Sequence, residues 1–174
     1  RYGKWNDNGL DWSVIGDTTR FEANYGRLPP EYASRLRNGT RSYTQTQVSR
    51  PWIAPWGYIT PKIQLHATRY DMQSPLSDGS SSVNRVLPTF SLDSGLTFER
   101  DTAWLGKNLT QTLEPRIFYV RTPFVDQSRL PVYDTGLTDF NLSTIYSENP
   151  YVGQDRIVDN NIMTFGVSSR FFDN

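Results

Sequence analysis

From Arg85 to Tyr119 the chain alternates apolar and polar residues, and this period of two constrains the fold more than any other feature. Val86, Pro88, Phe90, Leu92, Leu96 and Phe98 fall on one side, with Thr89, Ser91, Asp93, Gly95, Thr97, Glu99 and Asp101 on the other. Successive strand residues point to opposite faces of a sheet, so one face is apolar and the other polar and acidic. After a short turn through Trp104 and Gly106 the pattern returns. Leu109, Leu113, Pro115, Ile117 and Tyr119 share one face, and Thr110, Thr112, Glu114 and Arg116 the other. The stretch predicts a long β-hairpin whose strands exceed the usual five or six residues. Antiparallel partners share a face, so paired numbers sum to an odd value. A turn over 102–108 makes that sum about 209 or 211, which sets Arg116 opposite Asp93 or Gly95 and Glu114 opposite Gly95 or Thr97.

The same alternation recurs on both sides of this hairpin. In Gly57–Tyr70, Ile59, Pro61, Ile63, Leu65 and Ala67 oppose Tyr58, Thr60, Lys62, Gln64, His66, Thr68 and Tyr70. In Asn161–Phe172, Met163, Phe165, Val167 and Phe171 oppose Thr164, Gly166, Ser168 and Arg170. Arg41–Arg50 reads as a further, polar strand, and residues 1–25 as one bulged strand or two short ones. Arg27–Thr40 reads as a loop, with its prolines and Asn38-Gly39. Five or six strand signals result. Pro61, Pro88 and Pro115 sit inside these patterns on the apolar face, where they predict bulges or lapses in pairing, because proline cannot donate to a ladder.

The connections alternate in length. Those near 51–57 and 102–108 are short, and those at 71–84 and 122–160 are long. In an up-and-down sheet, alternate connections lie at opposite ends. Outer-membrane barrels have short periplasmic turns, long extracellular loops and girdles of aromatic residues. Trp52, Trp56 and Trp104 all fall at the short-turn end, as interfacial aromatics would. The predicted fold is therefore all-β, with antiparallel up-and-down strands forming part of a large transmembrane barrel. A soluble antiparallel sandwich that binds carbohydrate through exposed Trp and Tyr is the alternative, since its strands alternate too.

On the barrel reading, Lys62, Gln64, His66, Asp93, Glu99, Glu114 and Arg116 face the lumen. Ile63, Leu65, Phe90, Leu92, Leu96, Phe98, Leu113 and Ile117 face outer-membrane lipid. The low hydropathy average, −0.60, does not count against this, because barrel strands are only half apolar. The 18 Lys and Arg balance the 18 Asp and Glu, which argues against a nucleic-acid partner.

Four phrases carry a family resemblance: RVLPTFSLDSGLTFERD, LTQTLEPRIFYV, DQSRLPVYDT and QDRIVDNNIMTFGVSSRF. They resemble the LPS-assembly protein family (LptD, also called organic solvent tolerance protein), most strongly from Trp56 to Phe172 and weakly before Arg41. The resemblance implies a barrel of about 26 strands. It also implies passage of lipopolysaccharide (LPS) to the outer leaflet through a side opening, a plug lipoprotein (LptE) inside the barrel, and periplasmic LPS-bridge proteins acting through an N-terminal domain. Nothing in residues 1–174 resembles that domain, and the cysteines of the family's disulfides do not occur, so an internal barrel segment is expected.

No enzyme chemistry is expected. There is no cysteine, and His66 is the only histidine, so a catalytic triad or a histidine metal site lacks partners. No nucleophile elbow or phosphate loop occurs, and no cofactor is expected. Asp126, Asp134, Asp139, Glu148, Asp155 and Asp159 could offer oxygens to a divalent cation, but their spacing fits no calcium loop and they read as solvated loop charges. The loop that holds them should lie at the extracellular end and pack partly on itself through Phe124, Tyr133, Phe140, Tyr146 and Tyr151.

Overall fold

A computed structural model describes residues 2–5, 9–24, 26, 37–76, 78–104 and 106–173, apart from the side chains of Tyr2–Trp5 and Trp104. Most of the expected loop over Arg27–Thr40, and Tyr25, lie outside these residues. The strands are β1 (Tyr2–Trp5), β2 (Asp11–Phe21), β3 (Gly39–Ser49), β4 (Trp52–Ala54), β5 (Gly57–Met72), β6 (Ser82–Leu96), β7 (Phe98–Trp104), β8 (Lys107–Thr122), β9 (Gly136–Leu137), β10 (Tyr151–Val152) and β11 (Asn160–Asp173). Nine of them form one antiparallel sheet, in the order β1-β2-β3-β5-β6-β8-β11. β4 extends β3 against β5, and β7 extends β6 against β8. Seven ribbons thus run up and down without a crossover, more than the five or six signals predicted. The extra one is β1, whose pairing with β2 resolves residues 2–21 into two strands.

The predicted register holds at 211: Gly95 pairs with Arg116, and Phe98 with Leu113. The prolines mark lapses rather than bulges. Ser49 with Lys62 and Trp52 with Ile59 both sum to 111, so no residue is inserted where β3 gives way to β4. That gap holds Pro51 and faces Pro61; neither has an N–H to donate, and one bond survives, Arg50 N to the Pro61 carbonyl at 3.2 Å. Pro115 likewise lies at the gap between β6 and β7, and Pro88 lies just beyond the end of the β6–β8 ladder. The strand prolines therefore sit where pairing lapses or ends on one side, while each stays paired with the strand on its other side.

Connections are shorter than their composition predicted. β5 runs to Met72 and β6 starts at Ser82, leaving 73–81 as the loop. At the short-turn end, Trp52 belongs to a strand and not to a turn, because β4 pairs back on β5. Residues 123–159 hold the small β9–β10 hairpin and do not stand away from the sheet. They fold back across its polar face.

This return inverts the usual burial. Ile63 and Phe165 are 59% and 66% exposed, whereas Gln64, His66 and Thr89 are 6%, 8% and 2% exposed. A soluble sandwich buries its apolar face against a second layer. Here, among the described residues, the polar face is covered and the apolar face is bare.

Candidate functional site

The polar face and the loop that roofs it form the candidate site. Its long-loop end is built on two sheet arginines. Arg41 of β3 and Arg85 of β6 are both buried, 2% and 3% exposed, because the strand period turns them under the loop. The Arg41 guanidinium donates to Asp155 Oδ1 at 2.8 Å and to both Asp134 oxygens at 2.5 and 2.7 Å. Asp155 is fully buried, and beyond the Arg41 bond its carboxylate has room for about three more. It uses three: from Tyr70 Oη at 3.0 Å, and from the backbone N–H groups of Tyr133 and Asp134 at 2.6 and 2.9 Å. Arg85 donates to the Asp155 and Gln154 carbonyls at 2.7 and 3.0 Å, to Thr68 Oγ1 and to Gln127 Oε1. Gln127 in turn donates to the Ile157 carbonyl at 2.6 Å. Buried charge at this density is tolerated because Arg41 is ion-paired and the terminal nitrogens of Arg85 are hydrogen-bonded, although the Nε atoms of both arginines are left without a partner among the described residues. Asp134 lies outside the strands, and Arg41 holds its carboxyl below the usual carboxylate range.

The end nearer the short turns is built on Glu148 and Arg116. Glu148 reaches down from the loop to Lys62 Nζ at 2.6 Å, Gln64 Nε2 at 2.8 Å and Ser91 Oγ at 2.6 Å. Arg116 of β8 forks onto Asp93 of β6, at 2.9 and 2.6 Å. Its guanidinium also lies 4.1 Å from the Tyr146 ring centroid. Two glycines make room. Gly95 faces Arg116 from β6, and a Cβ there would lie 2.6 Å from the Tyr58 ring. Gly166 faces Arg116 from β11, and a Cβ there would lie 1.8 Å from Tyr146 Oη. Neither site admits a side chain without moving an aromatic ring.

Between these ends a polar cleft of about 590 Å3 lies under the loop. Gln45, Gln47, Lys62, Asp93, Tyr43 and Tyr146 are among its walls.

The structure brings Lys62, Gln64, His66, Asp93 and Arg116 together on this face. Glu114 is on it as well, with Arg170 of β11 at 3.4 Å, whereas Glu99 stays exposed near the turn end. His66 is buried, its Nδ1 3.0 Å from the Tyr43 hydroxyl. The reading of the loop acids as solvated charges fails for three of them. Asp134, Glu148 and Asp155 are ion-paired to the sheet instead. No cluster among the described residues is arranged to hold a metal ion. The loop aromatics also behave differently from the expectation of self-packing. Tyr133 stacks on Phe21 at 4.2 Å and Tyr146 meets Phe118 edge-on, while Phe124 and Phe140 remain exposed.

The sequence pattern does not set Leu87, Phe118 and Val120 on the polar face, yet they lie on it and are buried with Leu130 and Ile157 under the loop. At this end both faces are apolar, which the alternation in 117–120 already shows as the unbroken run Ile-Phe-Tyr-Val.

The bare face carries Ile63, Leu65, Phe90, Leu96, Phe98, Leu113 and Ile117, all exposed, with Leu92 half-buried among them. In β5 its apolar part runs from Ile59 to Ala67, near the 9–11 residues that a tilted strand needs to cross a bilayer. Arg69 with Asp71, and Arg121, end it on the long-loop side; Trp52 and Trp56 end it on the other. The side chain of Trp104 lies outside the described residues.

A family model described as "LptD: LPS transport system D" matches residues 1–174. The chain is 54% identical over 165 residues to the LPS-assembly protein LptD of Polaromonas sp., covering 95% of this chain and 19% of that protein. Identity is 49% over 174 residues with the protein of that name from Albidiferax ferrireducens, and 46% over 177 residues with the one from Ralstonia nicotianae. Each of these two alignments covers 99% of this chain and 21% of the relative. The similarity therefore extends through the first 40 residues, where the motifs alone read as weak. The chain spans about a fifth of the length of the curated relatives it matches. It belongs to the LptD family of Gram-negative outer-membrane proteins, and its unclosed antiparallel sheet is part of an outer-membrane β-barrel.

Proposed function

We propose that residues 1–174 are an internal arc of an LPS-inserting barrel, with the polar face toward the lumen and the bare apolar face toward lipid. One observation carries this reading: polar side chains are covered while a bilayer-sized band of Ile, Leu, Phe and Val is exposed. In water that arrangement forfeits about 25 cal/mol for each Å² of apolar surface left exposed, and only a lipid environment removes the cost. The apolar residues named above then touch acyl chains, and Trp52, Trp56 and Trp104 form the interfacial girdle.

Lys62, Gln64, His66, Asp93, Glu99, Glu114 and Arg116 then belong to a hydrated lumen. Such a wall suits the sugar head of LPS or the surface of a plug lipoprotein such as LptE. It does not suit acyl chains, which stay on the lipid side until LPS reaches the outer leaflet. Loop 123–159 roofs this wall from the extracellular end, so the segment contributes part of the barrel's cover. The periplasmic bridge proteins that deliver LPS engage parts of the protein beyond this arc.

Leu96 and Thr97 are sequence neighbours on opposite faces and test the assignment. Leu96→Arg puts a charge on the lipid side, toward the short-turn end, at a cost between the roughly 2–4 kcal/mol of the bilayer midplane and the roughly 0–1 kcal/mol of the interface. Thr97→Arg puts it among lumen charges. In the full-length protein, folded-barrel yield in membranes should fall for Leu96→Arg and hold for Thr97→Arg. Equal defects would remove the basis for the face assignment.

A further inference from the structure

The apolar face has a notch at its short-turn end. Gly57 brings no side chain between Ala54 and Leu96, and β4 stops after three residues. The resulting hollow of about 320 Å3 is walled by Trp52, Trp56, Ile59 and Leu96. Gly57 lines it while buried against the next strand, where a Cβ would lie 2.5 Å from the Gly95 carbonyl and 3.0 Å from Leu96 Cδ2. At its rim the exposed Arg50 guanidinium lies 5.1 Å from the Trp52 ring centroid. No carboxylate pairs with Arg50 among the described residues.

We infer that this notch, with Arg50, is a binding site for one glycerophospholipid of the periplasmic leaflet, an acyl chain lying in the hollow and the phosphate on the guanidinium. The inference rests on the lipid-facing assignment proposed above. Charge and shape together select the ligand. A cation at the edge of an apolar band, with no carboxylate beside it among the described residues, attracts an anion at the headgroup level, and Arg presents a planar fork that matches phosphate oxygens. Stacking on Trp52 holds that fork in place, since tryptophan is amphipathic and favours this depth. The hollow beneath it is almost wholly apolar and open along the face, as an acyl chain requires. Short turns mark the periplasmic end of such barrels, where the leaflet holds phospholipid and LPS is not delivered.

The test uses the full-length protein in nanodiscs of phosphatidylethanolamine and phosphatidylglycerol. A trace of phosphatidylglycerol carrying a photoactivatable group on its acyl chain is added. After irradiation, cross-linked peptides are mapped by mass spectrometry. Labelling should concentrate in 52–59 and be displaced by unlabelled phosphatidylglycerol. Arg50→Gln should lower it roughly fivefold, the weight of one basic side chain at an anionic lipid surface. Ala54→Leu fills the hollow without changing charge and should lower it similarly. The second variant keeps the test decisive if the first assembles poorly. Even labelling along Ile59–Ala67, unchanged in both variants, would remove the site and leave the lipid-facing assignment intact. Labelling at Gln64 and His66 would remove both. Displacement by purified LPS and not by phospholipid would overturn the choice of ligand.

Discussion

Arg41 and Asp155 meet at 2.8 Å across 114 residues of sequence, and neither side chain is open to water. This pair fastens the loop to the sheet. Removing one partner of a buried pair leaves an uncompensated charge and costs about 3–5 kcal/mol. Asp155→Ala should therefore release loop 123–159 while the membrane-embedded strands persist. Limited proteolysis of the full-length protein should then cut near Arg129 faster than in the parent. Unchanged resistance would show that the fastening lies elsewhere.

Acid should loosen the same fastening. Arg41 depresses the Asp134 carboxyl below its ordinary range. A depressed carboxylate contributes stability that is complete above its unfolded pKa, about 3.9, and is lost as pH falls through the folded value. A spin label at Ser128 should keep its mobility from neutral pH to about 5 and gain mobility only below the ordinary Asp range. Asp134→Asn should raise mobility at neutral pH and flatten the acid response.

Gly166 and Tyr146 should be coupled. A methyl group at Gly166 meets the Tyr146 hydroxyl at less than contact distance, so Gly166→Ala must push the ring off Arg116. The cost should be about 1–3 kcal/mol, as for other overpacked sites. Tyr146→Ala should remove most of that cost in the double variant. Additive effects in folded-barrel stability would contradict the coupling.

The isolated chain should not behave as a soluble domain. β1 and β11 leave open edges, and the bare face exposes Phe165, Val167 and their neighbours. Open edges and apolar patches of this kind drive association. The purified 174-residue chain should aggregate without detergent, whereas a sharp two-state melt in water would contradict the barrel reading.

The strands were legible because their period of two spans enough residues to fix face and register together. Even the sum of 211 was one of two values that the turn at 102–108 allowed. The loop's destination was not legible. Asp134, Glu148 and Asp155 sit in a polar stretch whose composition matches solvated loops, and their partners Arg41 and Lys62 are 86 to 114 residues away in sequence. Local pattern carries no information at that separation. Leu87, Phe118 and Val120 were missed for a related reason. Where both faces of a strand are apolar, alternation fades, and only the returning loop reveals that the second face is also covered.

The face assignment is the central claim, and one scan along β5 tests it most directly. Single cysteines at 59–67 in the full-length protein, in a background without other reactive thiols, would each carry a nitroxide in lipid bilayers. Collision with oxygen, which partitions into lipid, is compared with collision with a water-soluble nickel chelate. The account predicts a period of two: oxygen dominates at 59, 61, 63, 65 and 67, and at 60 and 62, beside the polar cleft, nickel gains. Nickel access at 64 and 66 should appear only when Asp155→Ala frees the loop. A reversed phase, or one environment at all nine positions, would contradict it.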